Sequence, residues 1–207
     1  TSIPQDATLG VVETMLYNSS LESITPAHFI LECAGIALKE NFFLFEDTYY
    51  LQTSGTSMGS TFSPSLACLY MFHFETQYIL NDSNPFKTKI TSWKRYIDDI
   101  LVTWNGTQEK AEDFFSWLNG LDSFFKFTKH ISTKELSFLN LVISIDEGFL
   151  KTRTYTKPTD RNSLLRFESY HPRALMNNLP YGQFLRLRRN CSEVSDYQEE
   201  SISSNTN

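Results

Sequence analysis

Tyr96-Ile97-Asp98-Asp99-Ile100-Leu101-Val102 sets two carboxylates side by side between two apolar, strand-forming runs. Burying ionised carboxylates in a sheet would strip their hydration without replacement. The end of a hairpin avoids that cost and presents both acids at one place. Such a pair suits a hard divalent cation such as Mg2+. Phosphoryl transfer commonly uses two such ions, about 4 Å apart, against the attacking and leaving oxygens. An ordinary Asp-Asp turn between strands has the same dipeptide, so the pair alone does not decide its chemistry.

A second stretch with chemical potential is Gln52-Thr53-Ser54-Gly55-Thr56-Ser57-Met58-Gly59-Ser60, followed by Phe62-Ser63-Pro64. Its glycines permit close approach of backbone to a ligand, and amides ahead of a helix start favour anions. The Gly-Lys-Ser/Thr ending of a Walker A loop is absent. A flexible connection from hairpin to helix would look similar.

The elements that position these residues follow from periodicity. Thr25-Pro26 opens a helix to about Lys39, with Phe29, Ile30, Cys33, Ile36 and Ala37 at helical spacing. Asn41–Phe45 and Tyr49–Gln52 predict a hairpin around Glu46-Asp47. Pro64 starts a helix running to about Leu80. Trp93–Tyr96 and Ile100–Trp104 predict strands on either side of the carboxylates. Thr107 caps a third helix, with Phe114, Phe115, Trp117, Leu118 and Leu121 on its apolar side. Phe124–Ile131, Leu136–Ile145 and Phe149–Tyr155 predict three strands, the last two joined at Glu147-Gly148. A short helix is expected from about Pro180 to Arg189, and disorder after Cys191. The whole predicts a mixed α+β chain with hairpins and helices around one sheet.

Composition agrees with a packed core: 41% of the 207 residues are apolar and 14% aromatic. No run is long and apolar enough to cross a bilayer, and Thr1–Gly10 lacks the features of a signal peptide. Without an initiator Met, the chain is expected to be a fragment. Cys33, Cys68 and Cys191 are far apart, so a zinc site or disulfide framework is not expected and a reducing compartment is. His28, His73, His130 and His171 show no metal-ligand spacing. The aromatics Phe42, Phe43, Phe45, Tyr49 and Tyr50 could stack bases, although strand packing explains them more simply.

The net charge of −6 argues against nucleic acid, but its distribution does not. Between Lys151 and Arg189 lie nine basic residues (Lys151, Arg153, Lys157, Arg161, Arg166, Arg173, Arg186, Arg188 and Arg189) and two acids, Asp160 and Glu168. Phosphate affinity follows the local field and counterion release. A solvated basic face is the alternative.

In this order, a Gly-rich loop leading into a Ser-Pro helix and then Tyr-x-Asp-Asp in a hairpin resembles motifs B and C of reverse transcriptases. The resemblance extends through Trp93-Lys94-Arg95-Tyr96-Ile97-Asp98-Asp99-Ile100, Phe138-Leu139, Tyr155-Thr156-Lys157-Pro158-Thr159-Asp160-Arg161, Ser169-Tyr170-His171-Pro172 and Pro180–Arg189. Together these are similar to the polymerase of Penelope-like retroelements, from Thr1 to about Tyr197.

The resemblance implies a reverse-transcriptase palm, a ferredoxin-like antiparallel sheet with packed helices, over residues 1–156 with a fingers remnant. The start of a thumb would occupy 157–192 and a disordered tail 193–207. It implies that Asp98 and Asp99 hold Mg2+ (or Mn2+), and that Tyr96 packs near the primer end. Gln52, Gly55, Met58 and Gly59 would line the incoming nucleotide and template. Lys157, Arg161, Arg186, Arg188 and Arg189 would contact nucleic acid. The implied partners are an RNA template, a DNA primer and deoxynucleoside triphosphates, with no membrane. The implied location is intracellular, the nucleus ahead of the cytoplasm.

Several positions depart from the family pattern. The motif A aspartate is expected a few residues before Thr1, and Asp6 lies on the wrong side of Ile3-Pro4 to replace it. Cys68 stands where Asn is usual, Asn140 where Asp is usual and Gly182 where Ser is usual. The expectation is therefore a retroelement reverse-transcriptase fragment, inactive as this isolated chain. The alternatives are a non-catalytic nucleic-acid-binding remnant and a structural protein with an incidental Asp-Asp turn.

Overall fold

The computed structural model describes residues 3–19, 26–57, 59–121, 124–157, 159 and 169–205. The chain divides into two compact units, 1–129 and 130–207.

In the first unit, α1 (Gln5–Tyr17) packs against α2 (Ala27–Lys39) and α3 (Ser63–Phe74). The sequence did not announce α1. Its Thr8, Val11, Val12 and Thr14 are β-branched and Gly10 is a weak helix former, so tertiary burial outweighs propensity. Val11 joins a core with Ala67, Tyr70, Met71 and Phe74, while Val12 packs with Leu38 and Leu66. The expected cap Thr25 lies outside the described residues, and Pro26 immediately precedes α2. As expected, β1 (Phe42–Phe45) and β2 (Thr48–Leu51) form a hairpin turned at Glu46-Asp47. Every residue of both strands is exposed.

Pro64 lies in the first turn of α3, where its missing N–H is harmless. The helix continues as one π turn, Glu75–Ile79, in which Glu75 and Ile79 are buried. β3 (Ile90–Tyr96) and β4 (Asp99–Trp104) pair antiparallel and lay Trp93, Ile100 and Trp104 against this core. α4 (Gln108–Gly120) adds Phe114 and Leu118 and is capped by Thr107, whose Oγ1 accepts from the Lys110 amide at 3.4 Å. Phe114 meets Trp104 and Phe86 at ring-centroid distances of 5.4 and 5.6 Å.

The strand expected over Phe124–Ile131 is absent among the described residues of that span. Asn119 explains why. Its Oδ1 accepts from the Phe127 amide at 2.8 Å and its Nδ2 donates to the Phe127 carbonyl. A side chain therefore does the work of a neighbouring strand, while Phe125 and Phe127 fill the core as irregular chain.

The second unit is built on an antiparallel sheet in the order β5 (Glu135–Phe138), β6 (Leu141–Asp146), β7 (Phe149–Thr154). The single strand expected over Leu136–Ile145 is two strands. Leu139 takes φ 55° and folds the run back, pairing Phe138 with Leu141. Glu147 and Gly148 turn the next hairpin with φ 49° and 84°, which suits a tight two-residue turn. α5 (Arg173–Asn190) and α6 (Val194–Asn205) pack on β7.

Two expectations are corrected here. α5 begins after Pro172 rather than at Pro180, which lies inside the helix. Either proline could mark a helix start, and burial of Met176 favours the longer form. The tail is not disordered over 194–205 but forms α6. Its polar composition concealed the contacts of one side. The Ser192 amide donates to the Thr152 carbonyl at 2.8 Å, and Glu200 Oε1 accepts from the Thr154 amide at 3.0 Å. These groups satisfy the free edge of β7.

The mixed α+β class stands. In place of one sheet, the described residues form three separate antiparallel sheets of two, two and three strands.

Candidate functional site

Tyr96 pairs with Asp99 across the β3–β4 hairpin, so Ile97 and Asp98 form its two-residue turn. Tyr96, Ile97, Asp98 and Asp99 are all exposed. Ile97 has φ 55°, the left-handed region, while Asp98 does not. A turn with positive φ at its first central residue normally takes Gly there. A β-branched residue in that conformation is strained by about 1–3 kcal/mol. The chain thus stores strain immediately beside the two carboxylates.

The buried neighbours of this hairpin were not found from the sequence. Trp93 Nε1 donates to Glu75 Oε1 at 2.8 Å. Arg95 Nε donates to the same oxygen at 2.7 Å, and its Nη2 to Oε2 at 3.2 Å. The Arg95 and Glu75 side chains are only 13% and 11% exposed. The remaining guanidinium nitrogen, Nη1, donates to the Ile97 carbonyl at 3.3 Å and lies 3.9 Å from Cys68 Sγ. Hydrogen bonding to Glu75 raises the Arg95 pKa above its ordinary value, against the opposing effect of burial. No spacing rule links position 75 to 95, because the contact joins the end of α3 to a separate strand.

The Asp98 and Asp99 side chains make no hydrogen bond or ion pair among the described residues. Their lone pairs are free for a hard cation. Among the described residues, no group of three or more His, Cys, Asp or Glu side chains could hold a metal. Two carboxylates alone would supply only part of a Mg2+ shell, with water or a phosphate needed for the rest.

The Gly-rich loop is also anchored. Gln5 Nε2 donates to the Gly55 carbonyl at 3.0 Å and to the Leu38 carbonyl at 3.1 Å. Gly55 is buried with φ 72°, and Gly59 has φ 93°, so both need the freedom of glycine. Gln52 accepts from Asn41 Nδ2 at 2.9 Å and donates to the Ser54 carbonyl at 2.8 Å. Asn41, Phe42, Phe43, Gln52, Ser57 and Ser60 line a cleft of about 470 Å³. Met58 lies outside the described residues.

The basic stretch divides into paired and unpaired members. Lys151 pairs with Asp146 at 2.8 Å and Glu193 at 3.4 Å, and its pKa is raised by Asp146. Arg153 pairs with Glu135. Lys157, Arg186, Arg188 and Arg189 are exposed and have no acidic partner among the described residues. Arg161 lies outside them. Leu187 is buried, and at about 100° per residue Arg186, Arg188 and Arg189 cover the opposite half of α5.

Residues 163–204, about a fifth of the chain, match the model of the animal helix-turn-helix domain. The described part of that segment contains α5, the short link 191–193, and α6. No curated protein and no solved structure matches the chain. Among the described residues, no helix is long and apolar enough to cross a membrane. α6 carries Asp196, Glu199 and Glu200 and no basic residue. An acidic helix is repelled by phosphates, so any nucleic-acid contact of this pair belongs to α5.

Proposed function

We propose that this chain is part of a reverse-transcriptase palm with the start of a thumb, serving RNA-templated DNA synthesis. The observation that carries the proposal is the strained hairpin end with two exposed, unpartnered carboxylates, Asp98 and Asp99. The anchored Gly-rich loop and the resemblance described above support it. In this proposal Asp98 and Asp99 hold Mg2+ or Mn2+, and Tyr96 packs beside the primer end. Gln52, Gly55, Met58 and Gly59 flank nucleotide and template. Bound Mg2+ supplies stabilisation of the attacking and leaving oxygens during phosphoryl transfer. The reaction joins a primer 3′-hydroxyl to the α-phosphate of a deoxynucleoside triphosphate and releases pyrophosphate.

The third carboxylate of such a site belongs to motif A, to which the resemblance matches no residue of this sequence. The 207-residue chain alone is therefore expected to extend no primer. A form joined to a motif A strand that supplies this aspartate is expected to do so. Asp98→Ala in that form should lower the rate by at least about 10²–10³, the scale for losing one transition-state stabilising group. Extension that survives Asp98→Ala removes the catalytic assignment.

A second proposal, a non-catalytic nucleic-acid-binding protein, is favoured by the helix-turn-helix match and the arginine half of α5. It predicts primer–template binding with no extension by either form. A protein with an incidental Asp-Asp turn predicts neither binding nor a Mg2+-dependent rise in thermal stability.

A further inference from the structure

Glu75, Arg95 and the Ile97 carbonyl form one chain of contacts from the core to the hairpin end. Trp93 and Arg95 both donate to Glu75, which fixes the carboxylate plane. Two guanidinium nitrogens are then committed to Glu75, and the third is aimed at the turn. Among the described residues, Arg95 makes the only side-chain hydrogen bond to the backbone of the Ile97-Asp98 turn. That turn has the backbone conformation least suited to its residue. A strained turn persists only where its surroundings over-determine it.

We propose that the Glu75–Arg95 pair is a positioning device that holds Ile97 in its left-handed conformation and so sets where Asp98 and Asp99 stand. Its consequence for metal binding rests on the proposed metal-holding role of those carboxylates, but the restraint on the turn does not. Arg suits the task because its planar fork serves a carboxylate and a carbonyl at once, and Lys, a point charge, does not. Glu75 continues the buried face of α3 after Ala67 and Met71, and so meets Trp93 and Arg95 on β3.

A buried ion pair that only supported the core could be replaced by a neutral pair of similar volume with little effect on the turn. The test therefore uses Glu75→Gln with Arg95→Met, which keeps an acceptor for Trp93 but removes the donor to Ile97. Arg95→Lys is the second variant, keeping the charge beside Glu75 while losing the fork. Backbone 15N order parameters of Ile97, Asp98 and Asp99 are measured in each. The expected result is a fall from rigid values of about 0.85 to below about 0.6 at the turn alone. Unchanged order in either folded variant overturns the inference. A Mn2+ titration follows the broadening of Asp98 and Asp99 resonances. In the loosened variants its midpoint should rise at least about tenfold, the scale seen when support around metal ligands is lost. An unchanged midpoint overturns the link to the metal. A wild-type chain without that broadening sinks the metal proposal, and the order parameters still decide the positioning role.

Discussion

Ile97 concentrates two opposing demands at one residue. Its side chain disfavours φ 55°, and the hairpin requires that angle to bring Asp98 to the exposed end. Ile97→Gly is expected to relieve the strain and to offset part of the gain by added unfolded-state entropy. Urea unfolding should then show stability unchanged or raised by up to about 1 kcal/mol. A loss beyond about 1 kcal/mol would show that the Ile97 side chain contributes packing that outweighs the strain. Cys191 offers a second residue-scale check. It is buried, and burial pushes its thiol pKa up, whereas Cys33 and Cys68 are exposed. Alkylation at pH 8 should reach Cys33 and Cys68 first, with Cys191 roughly tenfold slower or more, because the thiolate is the reactive form. A thiol pKa raised by folding stabilises the protein below the ordinary thiol range, and that contribution is lost as pH rises through the folded value. At this scale the exposed carboxylate pair was legible, because apolar strands on both sides leave a turn only one place to fall. Glu75 was not, because its partners Trp93 and Arg95 are 18 and 20 residues away.

Elements with strong periodicity or clear turn residues were readable: the Glu46-Asp47 hairpin, the Pro64 helix, the Thr107-capped helix and the Glu147-Gly148 hairpin. Two that failed did so where one side chain replaced or supplemented backbone pairing. Asn119 occupies the backbone of Phe127 and prevents a strand there. Glu200 does the reverse, recruiting a polar tail into α6 by bonding the buried edge residue Thr154. Glu200→Ala is expected to strand the Thr154 amide and to cost the second unit about 1–3 kcal/mol. Far-ultraviolet circular dichroism against denaturant checks this, and Glu200→Gln should recover most of the loss. An unchanged midpoint for Glu200→Ala would mean that α6 is held by apolar contacts instead. The same attachment bears on the helix-turn-helix match. α6 is committed to β7 and is acidic, so the second helix of this pair is poorly suited to entering a groove of DNA.

For the whole molecule, a net charge of −6 and a local basic surface would make the proposed nucleic-acid binding strongly dependent on salt. Under the proposed nucleic-acid contact, replacing Arg186, Arg188 and Arg189 with Ala should weaken that binding and reduce the slope of log K against log salt by about 2–3, if each neutralises one phosphate. Equal slopes would place the contacts elsewhere. Two compact units, each with its own buried residues, are expected to give two calorimetric transitions, and a single one with matching calorimetric and van't Hoff enthalpies would contradict that. The α+β class was legible from the order of elements. The division of the strands into three sheets was not, because period and turn residues fix a hairpin but not its next neighbour. The ribbon of β1 and β2 carries a practical consequence. Phe42, Phe43, Leu44, Phe45, Tyr49, Tyr50 and Leu51 are wet on both faces, and two strands leave two open edges. Concentrated stocks of this chain should therefore turn cloudy on standing, and Leu44→Lys together with Tyr49→Lys should keep them clear.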